Sequence, residues 1–131
     1  MMPYQINVDH DRKIIFVSLK GRVSFEDLTG HCQELLEEPY LTLSYGIVVD
    51  YLEGSLADVK PFEVRVIAEL LSSQGDRIPD FNLAILVSSK LEFGFNRMFE
   101  ALTDLYIPWQ VLVTYDQEKA YAWAGEAGRQ K

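Results

Sequence analysis

The feature that most constrains the fold is a strand–turn–helix pattern within Tyr45–Ser73. Its β-branched apolar run, residues 47–49, is typical of a strand that is covered on both faces of a sheet. Asp50 ends the run, and Glu53-Gly54-Ser55 has the residue types of a turn. In the helix that follows, apolar residues recur at i, i+3, i+4 and i+7, so one stripe is expected to face the sheet. This stripe consists of Val64, Ile67, Ala68 and Leu71.

The other predicted strands flank this unit on both sides. Apolar and polar residues alternate over residues 4–8, and a polar turn separates them from a second strand at Lys13–Lys20. The short link favours an antiparallel hairpin, and Gly21 is expected to break the second strand. The apolar runs Asn82–Val87 and Trp109–Thr114 predict the fourth and fifth strands.

Two further helices are predicted between these strands. Ser24 is expected to cap the first, with Asp27 as a weaker capping-box partner, and Glu37-Glu38-Pro39 ends it. The second, at residues 92–105, has the strongest apolar stripe in the chain. The two stripes are Phe25, Leu28, Cys32, Leu35 and Leu36 in the first helix, and Phe95, Met98, Phe99, Leu102 and Leu105 in the second.

A last helix completes the predicted order ββαβαβαβα. Asp116 caps this helix, which runs to about Trp123 and is stopped by Gly125. Strand–helix–strand units imply right-handed parallel crossovers. We therefore expect a single α/β domain over residues 1–131, with a five-stranded mixed sheet whose first strand is the antiparallel one.

Composition and charge exclude several classes of function. The chain has 131 residues, of which 48% are hydrophobic, and a net charge of −8, which disfavours nucleic acid and anionic membrane surfaces as partners. The apolar runs are too short to span a bilayer, and the N-terminal residues lead into a strand without a signal-peptide pattern. One cysteine excludes an internal disulfide and a cysteine-cluster metal site. We expect a cytoplasmic protein.

Short motifs along nearly the whole chain resemble the bacterial SpoIIAA-like family, a branch of the STAS and Sec14-like fold group. The most specific of them is Gly94–Glu100, which is similar to the helix start "GxxRMFE". The resemblance implies a STAS-like fold, and it implies no activity, because members of this family mostly lack one. The other motifs are Gly21–Ser24, Val49-Asp50, Asp58–Pro61, Leu83–Val87 and Ala120–Trp123.

The same resemblance shows where a phosphorylated serine would be expected in this chain. Classical anti-sigma-factor antagonists of the wider group carry a phosphorylated serine after a turn aspartate, at the start of the helix that follows the central strand. The matching aspartate here is Asp58, and it is followed by Val59 and Lys60. Ser55 lies nearby but does not fit that position. We therefore expect no phosphoserine switch.

Charged residues form two candidate sites. Asp50, Glu53 and Asp58 follow the central strand, where they could bind a cation or a partner, or serve as solvated turn residues and a helix cap. We expect the latter, because no further oxygen ligands lie in a metal-site pattern nearby. At Gly94, a helix start with Arg97 could hold an anion, or Arg97 could face solvent or pair with Glu100.

The remaining reactive residue types suggest no catalytic site. His10 lies in a hairpin turn and His31 lies mid-helix, and neither pairs with a recognisable nucleophile motif, so we expect surface histidines. Cys32 lies on an apolar stripe, which predicts a buried, unreactive thiol.

Large apolar residues are unusually dense between Phe93 and Trp109. They could form plain core, a pocket for an apolar ligand, or a dimer or partner surface. Met98, Phe99 and Leu102 are expected in the core, whereas interface use is plausible for Phe93 and Phe95.

The sequence thus favours a non-enzymatic regulatory or protein-interaction domain. The alternative is a carrier or sensor of a small apolar or lipid-like ligand, and an enzyme ranks last because no catalytic constellation is visible. No cofactor is expected, and a homodimer is compatible with the apolar excess. The candidate interaction or ligand residues are Asp50, Ser55, Asp58, Lys60, Phe93, Phe95 and Arg97.

Overall fold

The strands and helices follow the predicted order along the chain. The structure, a computed structural model, describes residues 4–37, 45–74, 82–104, 107 and 109–126. The elements in these ranges are β1 Tyr4–Asp9, β2 Ile14–Arg22, α1 Phe25–Glu37, β3 Gly46–Ser55, α2 Pro61–Ser73, β4 Asn82–Leu86, α3 Lys90–Thr103, β5 Gln110–Thr114 and α4 Gln117–Glu126.

The five strands form one mixed sheet in the spatial order β1-β2-β3-β4-β5. β1 is antiparallel to β2, and the other three pairs are parallel, so the predicted mixed sheet is confirmed. The three crossover helices share one face of the sheet, as expected for right-handed crossovers between successive neighbouring strands. The fourth helix follows the last strand and covers the opposite face.

Two apolar layers, one on each face of the sheet, form the core. The larger layer joins alternate residues of the strands, such as Ile47, Val49 and Ile85, to the inner faces of α1, α2 and α3. The smaller layer joins Val48 and its neighbours to α4. Successive residues of β3 therefore face opposite layers, which confirms the prediction of a central strand covered on both sides. The smaller layer consists of Ile14, Val48, Ala84, Leu86, Ala120 and Ala124.

The turn predicted at Glu53-Gly54-Ser55 is wrong, because β3 continues through these residues. They pair with Lys20, Gly21 and Arg22 of β2, which continues through Gly21 in the same way. A register shift precedes this pairing: Ser18 lies opposite Asp50 and Lys20 lies opposite Glu53, so β3 contains one extra residue. Such a bulge bends a strand without ending it.

Glycines make this close pairing possible. Gly21 has a φ of +70°, a conformation that residues with a side chain seldom adopt. A Cβ on Gly54 would lie 2.8 Å from the Leu19 carbonyl oxygen of the neighbouring strand. These two glycines therefore permit the bulged extension of β2 and β3 and do not mark strand ends.

Two predicted helix caps are confirmed. The Ser24 amide donates to Asp27 Oδ2 at 2.9 Å and the Asp27 amide donates to Ser24 Oγ at 3.1 Å, which fixes the start of α1. Asp116 Oδ1 accepts from the amides of Glu118 and Lys119 at the start of α4. The predicted stop at Gly125 is wrong, because α4 continues to Glu126. Pro39 lies outside the described residues.

The predicted helix over residues 92–105 begins earlier, at Lys90. Gly94 consequently lies in the second turn of α3 and not at its start. The residue that precedes the helix is Ser89, in an extended conformation. None of the helices in the described ranges has the length and apolar character that a bilayer crossing needs.

Candidate functional site

A cavity of about 90 Å³ lies between the sheet and the layer formed by α1, α2 and α3. Its walls come from every element of that layer and from the two central strands. Most of the lining side chains are apolar. They are Leu28, His31, Cys32, Leu35 and Leu36 of α1; Ile47, Val49 and Tyr51 of β3; Leu56 and Val59 before α2; Val64, Ile67 and Leu71 of α2; Leu83 and Ile85 of β4; Phe95, Asn96 and Phe99 of α3; and Trp109.

The periodicity of each element explains why these residues meet. In β3 and β4 alternate side chains point to the same face, so Ile47, Val49 and Tyr51 line the cavity while Val48 faces α4. In α1 and α2, residues three and four apart form the inner stripe. The predicted stripe of α2 is confirmed as buried, and all of it except Ala68 lines the cavity.

His31 lies directly in this wall, which also includes the polar side chains of Tyr51, Asn96 and Trp109. Only 5% of His31 is exposed, and its Nδ1 atom has no hydrogen-bond partner among the described residues. Burial lowers the pKa of His31 from 6.5 to about 4, against an opposing effect of Asp27, so the ring is neutral at pH 7. The predicted surface position is therefore wrong for His31.

The sequence contained a signal for this buried position. His31 is three residues after Leu28 and four before Leu35, so it lies on the apolar stripe of α1 itself. His10 differs, since it is an exposed residue whose Nδ1 lies 3.1 Å from the Tyr45 hydroxyl.

The other reactive groups of the lining are held in their neutral forms. Burial raises the pKa of the Cys32 thiol to about 12, so the thiol remains protonated, and the prediction of a buried cysteine is confirmed. Burial likewise raises the pKa of Tyr51, with smaller effects of Cys32 and Glu92. The cavity wall thus carries no net charge at pH 7.

Helix α3 buries three polar residues whose burial was not predicted from the sequence. Its most buried residues are Glu92, Asn96 and Thr103. Met98, Phe99 and Leu102 are half-buried, and Met98 and Phe99 pack against the larger apolar layer, as predicted. The polar groups can be buried because the helix satisfies them: Asn96 Nδ2 donates to the Glu92 carbonyl at 2.8 Å, and Thr103 Oγ1 donates to the Phe99 carbonyl at 3.1 Å. Leu105 lies outside the described residues.

Glu92 is a structural support of the cavity that the sequence reading missed. It is 4% exposed, and its Oε2 accepts from the Leu56 amide at 3.2 Å while Ser89 Oγ donates to Oε1. This carboxylate ties the start of α3 to the segment that carries Leu56 and Val59. The spacing of Ser89 and Glu92 matches a capping box, which was a signal for this contact.

The two phenylalanines singled out from the sequence have separate positions. Phe95 lines the cavity, as does Phe99, which makes a tilted contact with Trp109 at 5.8 Å between ring centroids. Phe93 does not line it and stacks on Tyr115, with centroids 5.1 Å apart and an interplanar angle of 5°.

The acidic candidates after the central strand are engaged in local contacts. Asp50 Oδ1 accepts from the Leu52 amide at 2.7 Å, and Asp58 Oδ2 lies 3.8 Å from Arg22 Nε. Within the described ranges, no group of three or more His, Cys, Asp or Glu side chains is placed to hold a metal ion. Of the expected turn and cap roles, only the turn position of Asp58 is observed: Asp50 and Glu53 lie within β3, and the N-cap of α2 is Lys60.

Ser55 and Lys60 also have local roles near the start of α2. Ser55 Oγ accepts from the Ala57 amide at 3.2 Å, and the Lys60 amide donates to Glu63 Oε1 at 2.8 Å. Neither residue lines the cavity.

Arg97 pairs with Glu100 on the same helix, with Arg97 Nε 3.2 Å from Glu100 Oε1. Since α3 begins at Lys90, the amides around Gly94 lie within the helix, where the preceding turn accepts their hydrogen bonds. The anion site at a helix start near Gly94 is therefore not formed.

Comparison with solved structures identifies the fold. The chain is similar to an uncharacterized protein of the DUF3478 family with a SpoIIAA-like fold from Shewanella loihica PV-4, with 16% sequence identity and a TM-score of 0.53. The match covers 92% of this chain and 91% of that chain. A scan against protein-family models and a search of curated proteins found no match. The chain thus has the predicted SpoIIAA-like α/β fold, and the likeness extends to the fold alone.

Proposed function

We propose that the protein is a non-enzymatic domain that binds a small apolar ligand in the cavity beneath α1, α2 and α3. The observation that carries this proposal is the cavity itself, because close packing normally leaves few interior voids larger than a water molecule. An apolar cavity does not retain water well and gains dispersion contacts when an apolar molecule fills it.

The chemistry of the wall supports binding and not transformation. The Cys32 thiol has a raised pKa and stays protonated, so it is a poor nucleophile. Within the described part of the chain, His31 Nδ1 has no hydrogen bond to a hydroxyl or thiol that it could activate as a general base.

Xenon binding tests the proposal with a probe that fits a cavity of this size. Xenon dissolved under pressure is expected to shift the methyl resonances of lining residues such as Ile47, Val49 and Leu83 in NMR spectra. Val64→Phe should remove these shifts because Val64 lines the cavity. Val66→Phe is the matched control, since Val66 is 41% exposed on the same helix and does not line the cavity.

Two results would contradict the proposal. One is a wild-type protein whose methyl resonances do not respond to xenon. The other is a Val64→Phe variant that is folded and responds as the wild type does. Native mass spectrometry of protein purified from its own host should in addition show a retained small-molecule adduct.

A second candidate is a regulatory or protein-interaction domain, which the resemblance to SpoIIAA-like proteins suggests. The favouring observation is an apolar pair on the outer side of α2, where Phe62 is 62% exposed and Val66 is 41% exposed. Residues four apart lie on the same helix face, so these two side chains form one exposed strip.

Sedimentation velocity and pull-down experiments test this second candidate. Self-association or capture of a partner should weaken in Phe62→Ser. Glu118→Ser, at an exposed position of α4 on the opposite face of the sheet, should leave it unchanged. A wild-type protein that stays monomeric at high concentration and recovers no partner from its native lysate argues against it.

A further inference from the structure

β1 is an edge strand whose outer side is unpaired within the described part of the chain. It lies at one end of the sheet and pairs with β2 over Tyr4–Asp9. In an antiparallel pair, alternate residues direct their N–H and C=O groups away from the neighbouring strand. Half of the 6 residues of β1 therefore present backbone donors and acceptors at the outer edge. An extended segment of another chain can pair with such an edge.

The features that usually protect an edge strand are missing from β1. The strand contains no proline, lysine or arginine, and its pairing with β2 is continuous, without a bulge. Its charged residue, Asp9, is the last of the strand. The edge strand at the other end of the sheet, β5, has 5 residues, and its Gln110 carbonyl accepts from Trp123 Nε1 at 3.3 Å. Of the two edges, β1 is thus the longer and the less obstructed.

The two faces of β1 indicate which side chains a partner strand should carry. Tyr4, Ile6 and Val8 are half-buried and pack against the larger apolar layer, on the side of α1. Gln5 and Asn7 are exposed on the opposite face. A strand added at this edge would place apolar side chains beside Ile6 and Val8 and polar ones beside Gln5 and Asn7. The partner segment should therefore alternate between apolar and polar residues.

The charge of α1 favours a basic partner. The charged side chains of this helix are Glu26, Asp27, Glu34 and Glu37, and all of them are acidic. The helix lies beside Tyr4, whose hydroxyl donates to Glu34 Oε1 at 2.7 Å. This hydrogen bond, together with burial and the charges of Glu34 and Asp27, raises the pKa of Tyr4 to about 12. A lysine or arginine beside Tyr4 on an added strand would face these carboxylates.

We propose that β1 binds an extended basic segment of a partner protein, which adds a strand to the edge of the sheet. This site is separate from the cavity and goes beyond the proposed function. A second copy of this chain fits the edge poorly. Antiparallel pairing of two β1 strands would place both α1 helices on the same face of the joined sheet, next to each other. Their acidic side chains would then repel, whereas a basic segment would be attracted.

The capped peptides KTVTVTK and ETVTVTE test the edge and its charge preference. Their sequences are palindromic, so either strand direction places valines beside Ile6 and Val8 and a charged residue beside Tyr4. Each peptide is titrated into ¹⁵N-labelled protein at physiological ionic strength. KTVTVTK should shift the amide resonances of β1, protect alternate β1 amides from hydrogen exchange and leave those of β5 unchanged. ETVTVTE should bind about fivefold more weakly.

Charge variants test the contribution of α1. Glu34→Lys should abolish the preference for KTVTVTK over ETVTVTE, and Glu34→Gln, which keeps an acceptor oxygen for Tyr4, should reduce it. Glu118→Lys is the matched control, because it makes the same charge change at an exposed position of α4, on the opposite face of the sheet. Salt screens charges at that distance, so the preference should remain at its wild-type value.

Three results would overturn the proposal. The first is a wild-type protein whose β1 amides do not respond to KTVTVTK, or respond no more than those of β5. The second is an equal dissociation constant for the two peptides, which would remove the charge preference. The third is protection of β1 amides that grows with protein concentration alone, which would make a second copy the partner. Xenon binding is unaffected by any of these results, so the cavity proposal and this one fail separately.

Discussion

His31 and Cys32 are adjacent on α1, and burial favours the neutral form of each. The pKa of the imidazole is lowered and the pKa of the thiol is raised, because charge is unfavourable in an apolar wall. The apolar stripe of α1 predicts the buried position of Cys32, and the spacing of His31 on the same stripe predicts burial as well, whereas the residue type of His31 does not, because histidine is intermediate in its preference for the interior. Where spacing and residue type disagree, as at His31, the spacing agrees with the observed burial.

The buried His31 predicts a loss of stability in mild acid. Between pH 6.5 and pH 4 the unfolded chain binds a proton on this residue while the folded chain, with a pKa of about 4, does not. The free energy of unfolding should therefore fall as pH falls through this window, by about 3 kcal/mol at most. Urea unfolding at pH 7 and pH 4.5 measures the fall.

Comparison with two variants isolates the contribution of His31 from that of the carboxylates. The fall in stability between the two pH values should be smaller in His31→Phe than in wild-type protein. It should be unchanged in His10→Phe, where an exposed histidine is removed. An equal fall in all three proteins would contradict a depressed pKa for His31.

The elements of this fold were predictable because their periodicities are local properties of the chain. Their ends were predicted less well, and the errors fall at Gly21, Gly54, Gly94 and Gly125. Glycine is typical of the end of a helix or strand, but whether it ends one depends on the residues that lie beside it. Gly54 permits a close approach between strands, for example, and Gly94 is a second-turn residue of α3. A single sequence contains no information about those neighbours.

Replacing glycine by alanine is expected to have opposite effects on stability at two positions, Gly46 and Gly94. A Cβ on Gly46 would lie 1.9 Å from the Ala124 carbonyl oxygen, so Gly46→Ala forces α4 away from β3 and should cost about 3 kcal/mol or more. A Cβ on Gly94 would meet nothing within 4 Å, so Gly94→Ala should stabilise α3 by about 0.5–1 kcal/mol. Urea unfolding of both variants measures the two effects, and equal effects would refute the assigned packing.

The hydrogen bond from the Leu56 amide to Glu92 connects two elements, so its loss should lower the stability of the fold. Glu92→Ala leaves the buried Leu56 amide unpaired and should destabilise the fold by about 2–3 kcal/mol. Glu92→Gln keeps one acceptor oxygen and should lose less. Glu69→Ala, at an exposed position of α2, serves as the control and should change stability by less than about 0.5 kcal/mol. If Glu69→Ala were the least stable of the three variants, this role of Glu92 would be contradicted.

At the scale of the whole molecule, the sheet separates two apolar layers of different character. The α4 layer is small and includes the alanines Ala84, Ala120 and Ala124, which allow the helix to lie close to the strands. The other layer is larger and contains the cavity. The mixed sheet with an antiparallel first strand was predictable from the order of elements along the chain, whereas the cavity was not, because a void depends on how three helices pack together.

The separation of the two layers predicts which methyl resonances of a single strand will shift when a ligand binds in the cavity. Ile47 and Val49 face the cavity, whereas Val48, between them, faces α4, so a ligand in the cavity should shift the methyl resonances of the first two and leave the third nearly unchanged. On β4, the methyl groups of Leu83 and Ile85 should likewise shift, and that of Ala84 should not. Methyl NMR spectra recorded under xenon pressure measure this alternation. Equal shifts on both faces would mean that the probe binds elsewhere or rearranges the sheet, and the cavity would then not be its site.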